Sequence, residues 1–191
     1  MKGSDYGLLA LFGLGLAGYA VGKYQSMTVV QKTQLAIKVV SFIAPLFRVA
    51  PSLILAVIGK ESKFNPSKPN LTGGDLARGG AWGFMQVTLA TAKNLQQPLA
   101  KSLPNSPLKT AVINWKGDGE SLSDPSLNIA MGTFYLSRLL KRYNNDADLA
   151  LAAYNGGEGS VDRALAKGEN PRERQYVQDV KSWIEKVKEW L

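Results

Sequence analysis

The clearest periodic signal lies at the end of the chain. Tyr176, Val177, Val180, Trp183, Ile184, Val187, Trp190 and Leu191 recur at helical spacing and predict a helix over Pro171 to Leu191. Asp124-Pro125 reads as an N-cap and first-turn proline, opening a helix to about Tyr143 with Leu127, Met131, Phe134, Tyr135 and Leu139 on its apolar side. Thr28-Val29-Val30-Gln31 has the form of a capping box and starts a helix through Leu35, Val39, Phe42, Ile43 and Leu46, bent or ended near Pro45. Pro51 opens another, carrying Leu53, Ile54, Val57 and Ile58 as far as Glu61. Asp146 caps a short helix, Leu149 to Tyr154, which Asn155-Gly156-Gly157 stops. Thr88 to Gln97 reads as helical, whereas Ser62 to Gly80 and Gln97 to Ser123, punctuated by Gly and Pro, read as a long loop and an irregular stretch. No strand-like alternation and no internal repeat emerge, so the pattern predicts a mostly α domain from about residue 28 to 191.

The first 27 residues stand apart. From Tyr6 to Gly22 there are 17 residues without a charge, the lower limit for a helix crossing a bilayer core about 30 Å thick. A membrane anchor is the favoured reading, and Gly18 to Gly22 makes a GxxxG. A signal peptide, an amphipathic arm and a helix buried in the fold remain open. Lys23, Lys32 and Lys38 follow the segment while Lys2 precedes it, so the positive-inside rule weakly favours a cytoplasmic domain.

Composition narrows the chemistry. With no histidine and no cysteine, the chain cannot build a Ser-His-Asp or Cys-His nucleophile, a disulfide or an ordinary zinc site. Carboxylates, hydroxyls, amides and lysines remain. A net charge of +8 draws the protein to polyanions, but the basic residues occur as singles and pairs, as on a solvated surface, and do not point to nucleic acid. A chain of 191 residues is enough for one domain with a real core.

Glu61 is the carboxylate out of place. Leu53, Val57 and Glu61 are spaced by four, so the acid continues the apolar stripe of its helix. Burial raises a carboxyl's pKa toward a value suited to donating a proton near neutrality, as glycosidic cleavage requires. The competing reading turns Glu61 to solvent or pairs it with Lys60 or Lys63.

Four patterns in order shift the balance toward the first reading: Glu61-Ser62-Lys63-Phe64-Asn65-Pro66, Gly83-Phe84-Met85-Gln86, Asn128 to Leu136 (NIAMGTFYL), and Ala152-Ala153-Tyr154-Asn155-Gly156-Gly157. Together, over about residues 48 to 180, they resemble the catalytic domain of the soluble lytic transglycosylases, peptidoglycan-cleaving members of the lysozyme-like superfamily. The resemblance implies a mostly α, helical fold of the goose-type lysozyme and lytic transglycosylase kind, and the uncharged run Tyr6 to Gly22 adds an N-terminal apolar helix. It implies that Glu61 is the single catalytic acid and base and that Ser62 lies beside it as a polar partner. Gln86 hydrogen-bonds the sugar, Met85 gives it apolar contact, and Tyr154 and Asn155 face the glutamate across the cleft. Phe64, Asn65 and Pro66 fix the end of the catalytic helix. No cofactor or metal is implied.

The family chemistry also fits the lack of an obvious second acid, because the substrate's acetamido group and its muramyl 6-hydroxyl replace the second carboxylate of ordinary glycosidases. One departure is the segment Ser67 to Ala81, longer and more Gly-rich than the usual connection, in which Asp75 is the best candidate base should the enzyme use water instead. Trp82 either stacks on a sugar or packs. The expected partners are peptidoglycan glycan strands, with membrane association through residues 6–22. The expected location is membrane-anchored and acting on the periplasmic, wall-facing side, the orientation opposite to the weak charge bias, or a bacteriophage virion. A muramidase of the same fold, or a catalytically idle wall-binding or virion structural protein, are the alternatives.

Overall fold

The computed structural model describes residues 26–66 and 69–191, and the apolar segment 6–22 lies outside them. Ten α-helices and one minimal hairpin make up the described residues. Helix α1 (Val29–Phe47) starts at the expected capping box, Thr28 Oγ1 accepting from Gln31 N at 3.3 Å and Thr28 N donating to Gln31 Oε1 at 2.9 Å. It runs past Pro45, whose missing N–H costs a single ladder bond close to the end. By length and composition α1 could cross a membrane, although a third of its apolar window is buried inside the protein.

Helix α2 (Pro51–Ser62) is the centre of the molecule. Ile54 to Ile58 are fully buried, between α1 on one side and α10 (Gln175–Lys188) on the other. The close approach of α10 depends on Gly59, because a Cβ there would lie 2.5 Å from the Trp183 ring. A second layer is formed by α7 (Pro125–Arg142), which packs on α1, on α4 (Leu89–Ser102) and on α8 (Ala147–Gly156). Asp124 caps α7 by accepting from Ser126 N and Leu127 N, and Asp146 caps α8 through Leu149 N, as their sequences predict.

Several expectations need correction. The long loop after α2 contains a short helix, α3 (Gly73–Ala77). Two strands exist after all: β1 (Ala81–Trp82) pairs antiparallel with β2 (Val87–Thr88), and two residues each are too few to show alternation. The stretch 97–123 is mostly helical, since α4 runs through Pro98 to Ser102 and is followed by α5 (Pro107–Asn114) and α6 (Gly119–Leu122), capped by Ser106 and Asp118. Helix α9 (Glu158–Ala166) was not expected at all, and the last helix is preceded by a separate 3-10 turn, Pro171–Glu173.

Candidate active site

Glu61 sits in the last turn of α2, where the stripe of Leu53 and Val57 carries it to the floor of a cleft of about 320 Å³. The turn that follows is held in the left-handed region at two non-glycine residues, Lys63 (φ 51°) and Phe64 (φ 59°). Such backbone persists only where its surroundings fix it. Phe64 is buried against the edges of Trp183 and Trp190, with ring centroids 6.0 and 5.3 Å away. On the other side, the buried Lys32 of α1 donates from Nζ to Asn65 Oδ1 at 2.7 Å. Both ends of the described chain therefore clamp the turn next to Glu61.

Among the described residues the carboxyl has one direct partner, the Tyr176 hydroxyl of α10, which donates to Glu61 Oε1 at 2.6 Å. Burial pushes the Glu61 pKa up to about 7; the Tyr176 bond and the Lys60 charge oppose this, and the Asp75 charge adds to it. Lys60 does not pair with Glu61, because it turns to Asp179 at 2.6 Å. Tyr176 keeps its proton throughout, since burial, helped by the neighbouring Glu61 charge, holds its phenol well above the ordinary value. A buried tyrosine needs a partner for its hydroxyl, and that was the sequence signal for Tyr176, hidden inside the apolar stripe of the last helix.

The structure brings Gln86, Tyr154 and Asn155 around the same cleft as Glu61. Tyr154 donates to Met85 O at 2.9 Å, tying α8 to the hairpin turn, and its ring packs on Tyr135, which also lines the cleft. Gln86 stands at φ 46° with its amide donating to Gly83 O at 2.8 Å. A second hollow of about 270 Å³ shares Glu61, Asn70 and Gln86 with the first, so the groove continues across the carboxyl as a path for an extended chain.

Two expected site residues are placed differently from the expectation. Met85 is fully buried and cannot touch a sugar; Thr133 Oγ1 lies 3.8 Å from its sulfur, and Gly132 is the hole it fills, where a Cβ would lie 2.6 Å from Sδ. Ser62 borders the second hollow, but its hydroxyl turns back to Ile58 O at 3.1 Å instead of partnering Glu61. Trp82 packs: its ring covers Gly119 and its Nε1 donates to Gly79 O at 2.9 Å. Asn128 has a structural role that its motif concealed. Fully buried, it accepts from Met85 N at 2.9 Å and donates to Trp82 O at 2.8 Å and Leu122 O at 3.0 Å, holding the Gly83–Gln86 turn against α7.

Comparison with known proteins now bears on this arrangement. The family model of the transglycosylase SLT domain matches residues 40–177. The chain belongs to the transglycosylase SLT family. Its lysozyme-like helical fold is that expected from the four motifs. The membrane-bound lytic murein transglycosylase C of Shigella sonnei (strain Ss046) is 34% identical over 128 residues, covering 63% of this chain. The chain spans about 30% of that relative's length. The SLT match includes every residue facing the cleft, but it excludes Lys32, Trp183 and Trp190, which brace the turn after Glu61. Among the described residues no group of three or more His, Cys, Asp or Glu side chains could hold a metal ion.

Proposed function

We propose that this SLT-family protein is a peptidoglycan lytic transglycosylase that cuts the β-1,4 bond between N-acetylmuramic acid and N-acetylglucosamine, with Glu61 as its single acid and base. The observation that carries the reading is a carboxyl with a pKa near 7 at the floor of a continuous groove, hydrogen-bonded by Tyr176. Protonated Glu61 gives its proton to the glycosidic oxygen as the C1–O bond breaks, and the substrate's acetamido oxygen closes on C1 to carry the positive charge. Carboxylate Glu61 then takes the proton of the muramyl 6-hydroxyl, whose oxygen displaces the acetamido group and forms the 1,6-anhydro ring. The acid is regenerated, so one side chain serves both steps. Gln86, Tyr154 and Asn155 line the sugar path.

In this reading residues 28–191 are the catalytic domain and residues 1–27 attach it to a membrane, with the groove on the wall side, in a bacterial envelope or a bacteriophage particle. A second reading is a muramidase that uses water, favoured by Asp75, which lines the same cleft as Glu61. Mass spectrometry of muropeptides released from purified peptidoglycan by the full chain in detergent separates them. Products one water lighter than reducing-end muropeptides are expected, and none from Glu61→Gln. Reducing-end products would establish the hydrolase; equal release by Glu61→Gln would remove Glu61 from the chemistry.

A further inference from the structure

The segment between the catalytic helix and the hairpin forms one side of the cleft. Asn70 and Ala81 bridge its two ends through reciprocal backbone bonds of 2.9 and 3.0 Å. The returning backbone is fastened by Gly80 N to Asp75 O at 2.7 Å and by Ala90 N to Arg78 O at 3.1 Å. What the segment presents is unlike the cleft floor. Among the described residues lining the cleft, Asp75 and Arg78 are the only charged ones besides Glu61. They form a 3.0 Å ion pair whose side chains are 27% and 50% exposed, and Asn70 Nδ2 donates to the second Asp75 oxygen at 2.8 Å. Leu71 and Leu76, 49% and 59% exposed, stand on the same segment.

Neutral amino sugars give no reason for a guanidinium in their groove. The muramyl side chain does, because it carries carboxylates: those of the peptide stem or, where the stem has been removed, the lactyl group's own. An exposed ion pair contributes only about 0–1 kcal/mol, so Arg78 can exchange Asp75 for an incoming carboxylate at little cost. A bidentate guanidinium–carboxylate contact is among the stronger polar contacts available to it.

We infer that Arg78, presented by the segment 69–80, is a specificity-determining residue that binds a carboxylate of the muramyl side chain, the peptide stem being its source. The inference rests on the lytic transglycosylase reading. Its test uses the full chain in detergent with two soluble substrates: uncrosslinked glycan strands bearing intact stems, and the same strands stripped by an amidase, in which the lactyl carboxylate is free.

Arg78→Gln is expected to lower kcat/KM about tenfold on stem-bearing strands, through KM, as expected for one lost charge-assisted contact. On stripped strands it should act like the unaltered chain, which also controls for folding. Arg78→Lys should recover part of the loss, a point charge replacing a fork. A loss confined to stripped strands would keep the carboxylate and move its source to the lactyl group. An equal loss on both substrates, or none on either, would overturn the inference. The reading beneath it fails differently, by the absence of Glu61-dependent release from either substrate.

Discussion

The two sides of the cleft are built on opposite principles. On the floor, Glu61 and Tyr176 are removed from water by α2 and α10, and the phenol holds one carboxyl oxygen in a fixed position. On the rim, Asn70, Asp75 and Arg78 hold one another on a glycine-rich excursion, partly exposed to solvent. Burial has shifted the floor carboxyl into the range where it can both give and take a proton. The rim keeps formal charges that water screens and that a ligand can re-pair. On the proposed reading, reaction chemistry belongs to the first wall and recognition to the second.

Glu61→Gln is the largest expected blow to the floor. It should reduce release by about a thousandfold or more, since no other side chain on the floor can move the proton. Native Glu61 titrates near 7 against 4.5 for an unburied carboxyl, so the folded protein binds more protons than the unfolded between those values. Stability tied to this group is therefore full below 4.5 and is lost as pH rises through about 7. The loss is on the order of 3 kcal/mol at most. Glu61→Gln should then raise the melting temperature at pH 8 relative to the unaltered chain and barely at pH 4. In the unaltered chain, kcat/KM should decline above about pH 7 as the acid form disappears.

Next in size is Asn128→Ala. It strands the Met85 N–H and takes a donor from the Trp82 and Leu122 carbonyls, a cost of about 2–4 kcal/mol in a denaturant titration. Asn70→Ala on the rim breaks as many side-chain bonds, with Asp75 and Thr72, but in water, and should cost under about 1 kcal/mol. Equal costs would erase the distinction between the walls. Tyr176→Phe comes third. It should slow release about tenfold, because the carboxyl loses its orienting donor. The lost bond favoured the charged form, so the alkaline limb should move to higher pH even as the rate falls. A limb that moved to lower pH would mean that solvent had replaced the phenol.

How much of this could be read in the sequence differs between the walls as well. Glu61 was legible because helical spacing and a motif agreed, and the caps at Thr28, Asp124 and Asp146 were legible because capping is local chemistry. Ser106-Pro107 has the same grammar as Asp124-Pro125, but the prolines and glycines around it masked α5 and α6 as irregular chain. Helix α9 begins at Gly157 without a side-chain cap and buries only Val161 and Ala164, leaving little local signal. Met85 misled for another reason. A motif says that residues travel together, and it does not say which of them face the ligand; only the packing of Gly132 shows that Met85 faces the core. Tyr176 lies 115 residues from Glu61, a pairing that no local pattern encodes.

The smallest effect comes from the rim reaching the floor by charge alone. Asp75 raises the Glu61 pKa, and it does so as the last of four influences. Asp75→Asn should therefore move the alkaline limb slightly toward acid and leave kcat near its original value. The product is the more telling measurement. If Asp75 were a base for water, its replacement would remove reducing-end muropeptides and with them most of the activity. If the muramyl 6-hydroxyl is the nucleophile, the anhydro product persists unchanged. Both oxygens of Asp75 are already engaged, one by Arg78 and one by Asn70, and neither is directed at Glu61 or free to hold a water, which favours the second outcome.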